Sequence, residues 1–570
     1  VSPDPVWMTL PITGGTSFLL RLALTPLVIV LARRAGLVAR PRADRWSIRP
    51  TALMGGTAIF GAFAGGLALT SRLSPDLIVT LAAASLIFAV GFADDLRSLR
   101  PQHKLLAQVA AACVLVAGGV HFGIEGGNAL TWLLTILFVV GITNALNLLD
   151  NMDGLAAGVA STAALVLMAG AAFTGNGPAA AAAAGLAGAA LSFLVYNFHP
   201  ARVFMGDCGS MFLGLTLAAL AIQTSTAAGT AAAWAILFPC VALAVPIFDT
   251  TFVTVMRKLH GRAISQGGCD HTSHRLVRLG LSEPQAVLLL CGVSLLIGAP
   301  GVAAMVFRAP LLLVVVGSLA AAWLLMFGGV LARVDVYSSA ESGGRPGGAI
   351  LFADRLHKKQ TATALVDVLM AFAAAVLAVE VTETAGAPDA RWQVALLLAG
   401  SAAGLAAAGT YRGAWRHLTR AAFLRLAAGC ALGALFAVAG GAATGSAPGA
   451  LPVAVHTGAA LLLLTGSRVL YLILSRLLVE PEGWVLVTPP GGDGKDAEAI
   501  ARARGLAGTP SCVLTLDSRT SVRSLTRLER LLRKTRAGAV VVASPLLRKR
   551  VEEVCRRRGV PCLGPEEMQR

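Results

Sequence analysis

Four short polar segments, each set between long apolar runs, hold the side chains able to do chemistry: GFADDL (91–96), NALNLLDNMDGL (144–155), RVFMGDCGS (202–210) and GGCDHTSHRLVRLGLS (267–282). Asp94 and Asp95 are adjacent carboxylates that can share a divalent cation, or differ enough in proton affinity for one to act as a base. Taken alone, such a pair is equally a hydrophilic stop to a helix. In the second segment Asn144, Asn147, Asp150, Asn151 and Asp153 supply the oxygen donors that hard cations such as Mg²⁺ take, commonly together with substrate phosphates. In the third, Gly206 and Gly209 flank Asp207 and let backbone approach a ligand, while Ser210 is placed to cap the following helix. The fourth brings His271, His274, Arg275 and Arg278 to a Gly-Gly turn, with the two histidines spaced to share a helical face and to bind phosphate oxygens. Zinc is the competing reading of the histidines, but no third strong ligand stands nearby. Acids, a hard-cation site and anion-binding donors together fit phosphoryl transfer from a nucleotide.

The elements that must position these groups are membrane helices. Of 570 residues 56% are hydrophobic and only 14% charged, with mean hydropathy +0.73, far from the quarter charged that is usual in soluble domains. The net charge of +17 resides in short loops between apolar runs, where basic residues set topology. Interleaved aromatics and a recognition motif are missing from these stretches, so no nucleic-acid partner is expected. Nine scattered cysteines, without a CxxC pair, give no disulfide framework. Cys208 and Cys269 are expected to be free thiols in a reducing compartment. No basic n-region precedes a short apolar stretch and a cleavage site, so no removable signal is expected.

Runs long enough to span a bilayer, about twenty residues each, fall near 16–32, 52–70, 76–92, 104–121, 128–143, 154–174, 178–195, 210–226, 231–254, 285–306 and 309–331. Four more lie near 361–379, 392–409, 420–442 and 452–475. Arg21 falls near the outer end of the first run. The connection after that run carries Arg33, Arg34, Arg40, Arg42, Arg45 and Arg49, which predicts a cytoplasmic loop. Alternation then puts all four polar segments on the cytoplasmic face. The loops of opposite parity, such as TSRLSPD and FTGNGP, are poor in Lys and Arg.

The predicted fold is therefore an all-α polytopic membrane protein of about fifteen helices, eleven in a first unit (1–332) and four in a second (361–480). A Gly-rich cytoplasmic linker (333–360) joins them. Residues 481–570 alternate apolar runs, WVLVT, SCVLTL and AGAVVVAS, with charged helix-like stretches, which predicts a small cytoplasmic α/β, Rossmann-like domain.

In this order and between these spans, the four segments resemble the polyprenyl-phosphate N-acetylhexosamine-1-phosphate transferases of glycosyltransferase family 4, undecaprenyl-phosphate GlcNAc-1-phosphate transferases among them, over roughly residues 16–332. The resemblance implies transfer of an (N-acetyl)hexosamine-1-phosphate from a UDP-sugar to undecaprenyl or another polyprenyl phosphate, with release of UMP. It also implies dependence on Mg²⁺ (or Mn²⁺), a bacterial cytoplasmic membrane location and a role in starting cell-envelope polysaccharide synthesis. It gives Asp94, Asp95 and His271 catalytic roles, one aspartate deprotonating or positioning the lipid phosphate. Asn147, Asp207 and Asp150 become metal-associated positions. Lys104, Asp153, Asn197, His274 and Arg275 become nucleotide-sugar or phosphate contacts. Ser273 stands where the family usually has a middle histidine, and Gly268 and Cys269 replace a frequent Asp and basic residue, departures that bear on sugar choice. Direct attack by the lipid phosphate is favoured, with a covalent aspartyl intermediate as the alternative.

Two other readings compete: a transporter or flippase, which would place its polar groups near the midplane of broken helices, and a catalytically silent scaffold. Asp249, in PIFDTTF, is read evenly as a partner of Arg257 or as a residue lining the cavity. The region from about 350 to 480 is similar to the membrane segment of polysaccharide-synthesis nucleotide-sugar dehydratases and epimerases. The tail lacks GxGxxG, so a Rossmann-like relic or a module docking a polysaccharide-assembly protein is expected there rather than a second enzyme. Its stretch 521–536 reads as a solvated face or a contact with anionic lipid. A homodimer is a further partner the sequence admits.

Overall fold

The structure is a computed structural model that describes residues 5–39, 50–70, 73–124, 129–229, 233–264, 268–332, 334, 336, 361–384, 392–411, 420–445 and 447–478, with short pieces of the tail at 484–488, 512–515, 539–542, 551–552, 555 and 562–563. The predicted linker (333–360) and the helix-like tail stretches near 496–505 and 521–536 lie almost wholly outside the described residues.

Each of the fifteen apolar runs is helical. In chain order they are α1 (Pro5–Arg34), α2 (Gly55–Thr70), α3 (Pro75–Arg97), α4 (Pro101–Ala117), α5 (Ala129–Leu149), α6 (Leu155–Phe173), α7 (Gly177–Asn197) and α8 (Gly206–Ala228). A π-helical turn (Ala233–Leu237) leads into α9 (Phe238–Ala242) and α10 (Ala244–Leu259). Then follow α11 (Thr272–Arg278), α12 (Glu283–Val306), α13 (Pro310–Leu331), α14 (Thr361–Thr384), α15 (Gln393–Ala407), α16 (Arg420–Ala443) and α17 (Ala450–Leu478). Helix starts follow local chemistry. Ser74 caps α3 ahead of Pro75, Asn176 caps α7 ahead of Pro178, and Ser282 forms a reciprocal capping box with Gln285 ahead of α12.

Eleven of these helices are long and apolar enough to cross a membrane, up to twelve if the bent pair is one span, and the chain is a multi-pass membrane protein. The count is below the fifteen expected because α2, α4 and α15, of 16, 17 and 15 residues, fall short of a full crossing. The expected single span at 231–254 is instead broken, with Ala233–Ala242 and Ala244–Leu259 meeting at 77°. Pro246 explains the break: it removes a backbone donor and its ring collides with the carbonyl four residues back, at Ala242. The first helix also differs from expectation, since it begins at Pro5 and so puts Arg21 in mid-helix. Arg21 is fully buried there, its guanidinium 4.4 Å from the Phe193 ring centre and 5.8 Å from that of Tyr196, a cation–π contact.

Small residues let the central helices approach closely. Nearly all of α6, α7 and α8 is buried, with α7 reading Ala179–Ala184 and α8 enclosed from Cys208 to Ser225. The first compact unit is Val1–Tyr471. It takes in the four later helices, which join α13 through a core of Ala322, Met326, Val366, Met370, Leu426 and Leu464. Within this module Arg468 makes a buried two-pronged pair with Asp367, both contacts at 2.9 Å. The second unit, Leu472–Arg570, contains β3 (Trp484–Thr488), β4 (Cys512–Thr515), β5 (Ala539–Val542) and β6 (Cys562–Leu563). These strands form one parallel sheet in the order β4-β3-β5-β6. Upstream, the short β1 (Val38–Ala39) and β2 (Thr51–Ala52) pair as an antiparallel ribbon, and Ala52 bridges Val203 ahead of α8.

Candidate active site

The end of α3, the start of α4 and the start of α8 meet at a cluster of opposite charges. Lys104 Nζ donates to Asp94 Oδ2 at 2.8 Å and to Asp207 Oδ2 at 2.7 Å. One ammonium therefore ties two carboxylates that are 113 positions apart in sequence. Pro101 opens α4, which sets Lys104 one turn in and level with the end of α3.

The two adjacent aspartates do different things. Asp94 faces Lys104. Asp95 accepts from the backbone N–H groups of Asp207 at 2.8 Å and Cys208 at 3.1 Å, so it holds the N-terminus of α8, where a carboxylate satisfies free donors and the helix dipole. Expected to cap that helix, Ser210 instead sits four residues inside it. Its hydroxyl bonds back to the Gly206 carbonyl and accepts from Asn147 Nδ2 at 2.9 Å. Gly206 has φ 77°, and a Cβ there would lie 2.5 Å from Asp95 Oδ2. At Gly91 a Cβ would lie 2.6 Å from Cys208 Cα. These two glycines allow α8 to start directly against α3. Neither Cys208 nor Cys269 forms a disulfide among the described residues.

The turn from α5 to α6 links this cluster to the histidines. On one side Asn147 reaches Ser210; on the other, Ser273 Oγ donates to Asn151 Oδ1 at 2.8 Å. Asp150 and Asp153 lie in the same turn. Asn144 sits deeper and exchanges amide hydrogen bonds with Gln108 of α4, which fastens α5 to α4.

His271 stands at the start of α11, with its Nδ1 2.7 Å from Asp249 Oδ2, while Asp249 Oδ1 accepts from Thr272 N and Thr272 Oγ1. Asp249 thus orients His271 and anchors α11. Arg257, the other partner read for Asp249, holds Asp270 with its Nε and Nη2 at 2.8 and 2.7 Å. Burial works against a charge on His271, but the neighbouring Asp249 carboxylate and its hydrogen bond together outweigh it and raise the pKa above the ordinary value. For His274 burial, followed by the charge of His271, lowers the pKa to about 4. The ring centres are 6.3 Å apart. Asp249 therefore favours the protonated form of His271, while burial favours the neutral form of His274.

Two expected phosphate contacts are otherwise engaged. Arg275 is 1% exposed, donates to the carbonyls of Asp270, Leu331 and Val334, and lies over Phe252. It joins α11 to the end of α13 rather than facing outward, because its place on the first turn of α11 points it at the core. Asn197, 3% exposed, accepts from Gly154 N at 3.0 Å and donates to the Val203 carbonyl at 2.9 Å, so it fixes the backbone around Asp153. Asp153 itself accepts from Ala201 N at 3.0 Å and lies 3.2 Å from His199 Nδ1. Sequence reasoning missed His199 and Glu283, and it missed the link between Asn151, read as an oxygen donor, and Ser273, read as a replaced histidine.

The oxygen donors fit a hard cation. Asp94 and Asp207 converge on a single positive charge, and Asn147 uses its amide nitrogen on Ser210, three residues into α8 from Asp207, a bond that does not engage its amide oxygen.

The sequence profile of glycosyl transferase family 4 matches residues 77–225, from α3 to α8. The chain is 36% identical over 288 residues to a probable undecaprenyl-phosphate N-acetylglucosaminyl 1-phosphate transferase of Bacillus subtilis, covering 48% of this chain and 79% of that protein. It is 35% identical over 318 residues to a decaprenyl-phosphate N-acetylglucosaminephosphotransferase of Mycolicibacterium smegmatis, covering 49% and 78%. With a phospho-N-acetylmuramoyl-pentapeptide-transferase of Symbiobacterium thermophilum it shares 34% identity over 314 residues, 50% of this chain and 92% of that one.

Proposed function

The chain belongs to glycosyl transferase family 4, and from that premise we propose that it transfers an N-acetylhexosamine-1-phosphate from a UDP-sugar to undecaprenyl or another polyprenyl phosphate. The relatives' names support sugar-phosphate transfer to a polyprenyl phosphate. The observation that carries the reading for this chain is Lys104 held between Asp94 and Asp207 at the ends of three helices, where a headgroup phosphate and water-soluble nucleotide can meet. Groups gathered at helix ends favour a surface reaction over midplane transport.

In the reaction, a lipid-phosphate oxygen attacks the β-phosphorus of the UDP-sugar. The bond from that phosphorus to the bridging oxygen breaks, and UMP leaves with the oxygen and the electron pair. Asp94 orients the incoming phosphate and takes its proton where it arrives protonated. Lys104 attracts phosphate oxygens while keeping the two carboxylates close. Asp95 acts by positioning α8, and thereby Asp207. His271, whose protonated form Asp249 favours, donates from Nε2 to diphosphate oxygens, and neutral His274 adds a second donor without further charge. Mg²⁺ (or Mn²⁺) held by Asp207, Asn147 and Asp94, with Asp150 adjacent, would supply charge neutralisation on the diphosphate.

The site and the C-terminal unit are assigned to the cytoplasmic side of a bacterial inner membrane, on the strength of the basic residues Arg33 and Arg34 that end α1. The parallel strands of the tail support a Rossmann-like unit, and a polysaccharide-assembly protein is the partner proposed for it.

The test is purified protein with undecaprenyl phosphate, Mg²⁺ and a panel of UDP-sugars, scored by UMP release and by lipid-linked sugar. Turnover with one donor, abolished by EDTA and by Asp94→Asn, is expected. No turnover with any donor from folded protein would refute the assignment.

A further inference from the structure

Beyond the carboxylate cluster at Lys104, we infer that Asp153, His199 and Glu283 form a binding site for a divalent transition metal of the zinc, cobalt or nickel class. One ligand atom from each lies within 4.8 Å of the others. His199 Nδ1 is 3.2 Å from Asp153 Oδ2 and 3.3 Å from Glu283 Oε2. Those separations match the edge of a coordination tetrahedron, about 3.3 Å when metal–ligand bonds are about 2.0–2.1 Å.

The protein alone leaves this arrangement poorly satisfied. A single Nδ1–H can serve one acceptor, yet two carboxylates face it. Glu283 Oε2 is buried and accepts no hydrogen bond, a costly state for a carboxylate oxygen. A dication bound by the imidazole lone pair and one oxygen from each acid satisfies all three groups. Because one donor is an imidazole nitrogen, the site prefers metals of this class over Mg²⁺, which favours oxygen and retains its waters. His199 is 40% exposed, so metal can enter from solvent and water can fill the remaining position.

The three ligands come from separate segments that are already braced. Ala201 N holds the Asp153 carboxylate, Asn197 bonds Gly154 N two residues from His199 in sequence, and the capping box at Ser282 fixes Glu283. Such outer hydrogen bonds orient metal ligands. Occupancy would clamp the start of α12 and the segment after α7 onto the turn that carries Asp150 and follows Asn147 of α5, so the metal would restrain the proposed active site. The binding itself stands independently of the transfer reaction.

The test is a Co²⁺ titration of the full-length protein in millimolar Mg²⁺, read by visible d–d absorption and by metal content after desalting. One Co²⁺ per chain is expected, retained in Mg²⁺, with affinity reduced ~tenfold or more in His199→Ala and in Glu283→Gln. His121→Ala, far along the chain, is expected to bind as the parent does. Glu283→Gln keeps the side-chain shape and His199 is half-exposed, so thermal unfolding of both without metal should match the parent. Equal Co²⁺ binding by parent and variants, or no Co²⁺ retained by the parent, would overturn the site.

Discussion

Replacing Lys104 with methionine tests whether one ammonium both assembles the carboxylates and competes with the metal. Its Nζ lies 2.8 Å from Asp94 and 2.7 Å from Asp207. Unscreened, charges at about 3 Å would interact by ~5 kcal/mol per pair at an effective dielectric near 20. Here the three side chains are 25%, 10% and 29% exposed, and solvent reduces each pair to about 1 kcal/mol. Loss of both contacts, ~2 kcal/mol, corresponds to a ~30-fold fall in kcat/KM if they persist in the transition state. The sign for metal is the opposite. Without the ammonium, Asp94 and Asp207 form a more negative pocket, so half-maximal activation should move to lower Mg²⁺. Initial rates across a Mg²⁺ series at UDP-sugar well below KM measure both effects. A Lys104→Met protein within twofold of the parent rate, or one needing more Mg²⁺ than the parent, would refute the reasoning.

Other substitutions probe the remaining contacts. Asp249→Asn removes the charge that raises the His271 pKa, so burial prevails. In the parent, His271 has a raised folded pKa, so its ion pair contributes stability fully below the unfolded value of about 6.5 and loses it as pH rises through the folded pKa. The variant should therefore shift the alkaline limb of kcat/KM to lower pH; a profile identical to the parent's would count against His271 acting as a proton-rich donor. Asp95→Asn should lower unfolding stability by ~1–2 kcal/mol, since one of two charge-assisted bonds to the start of α8 is lost, and differential scanning fluorimetry in detergent reads this. Gly206→Ala places Cβ against Asp95 at positive φ, and UMP release should drop at least ~30-fold through strain and a displaced Asp95; near-parent activity would disprove the close approach. In the later module, Asp367→Ala strands Arg468 and should cost about 3–5 kcal/mol, whereas Asp367→Leu combined with Arg468→Met should recover most of it in the same melting assay.

The order of helices and the four polar segments could be read from the chain because both are local properties. Apolar runs of spanning length must be helical where no water can satisfy the backbone, and Ser74, Asn176 and Ser282 mark helix starts by their own hydrogen bonds. Gly, Asp and His in short polar segments identified Asp94, Asp207, His271 and their neighbours as chemically able. Even the alternating apolar runs of the tail marked strands that the fold pairs in parallel.

Roles within those segments depended on distant contacts. Nothing adjacent to DD says that Asp94 meets Lys104 while Asp95 holds α8, because the distinction arises where α8 arrives 112 residues later. Arg275 and His271 belong to one motif, yet the core takes the guanidinium into carbonyls at Leu331 and Val334 and Asp249 takes the imidazole. Pro246 was visible in the sequence, but whether the span would bend or break there depended on packing around Asp249. The physical reason is range: hydrophobicity, helix caps and backbone restrictions act within a few residues, whereas hydrogen bonds and charge pairs in the site act over about 3 Å between atoms that only the packed helices bring together.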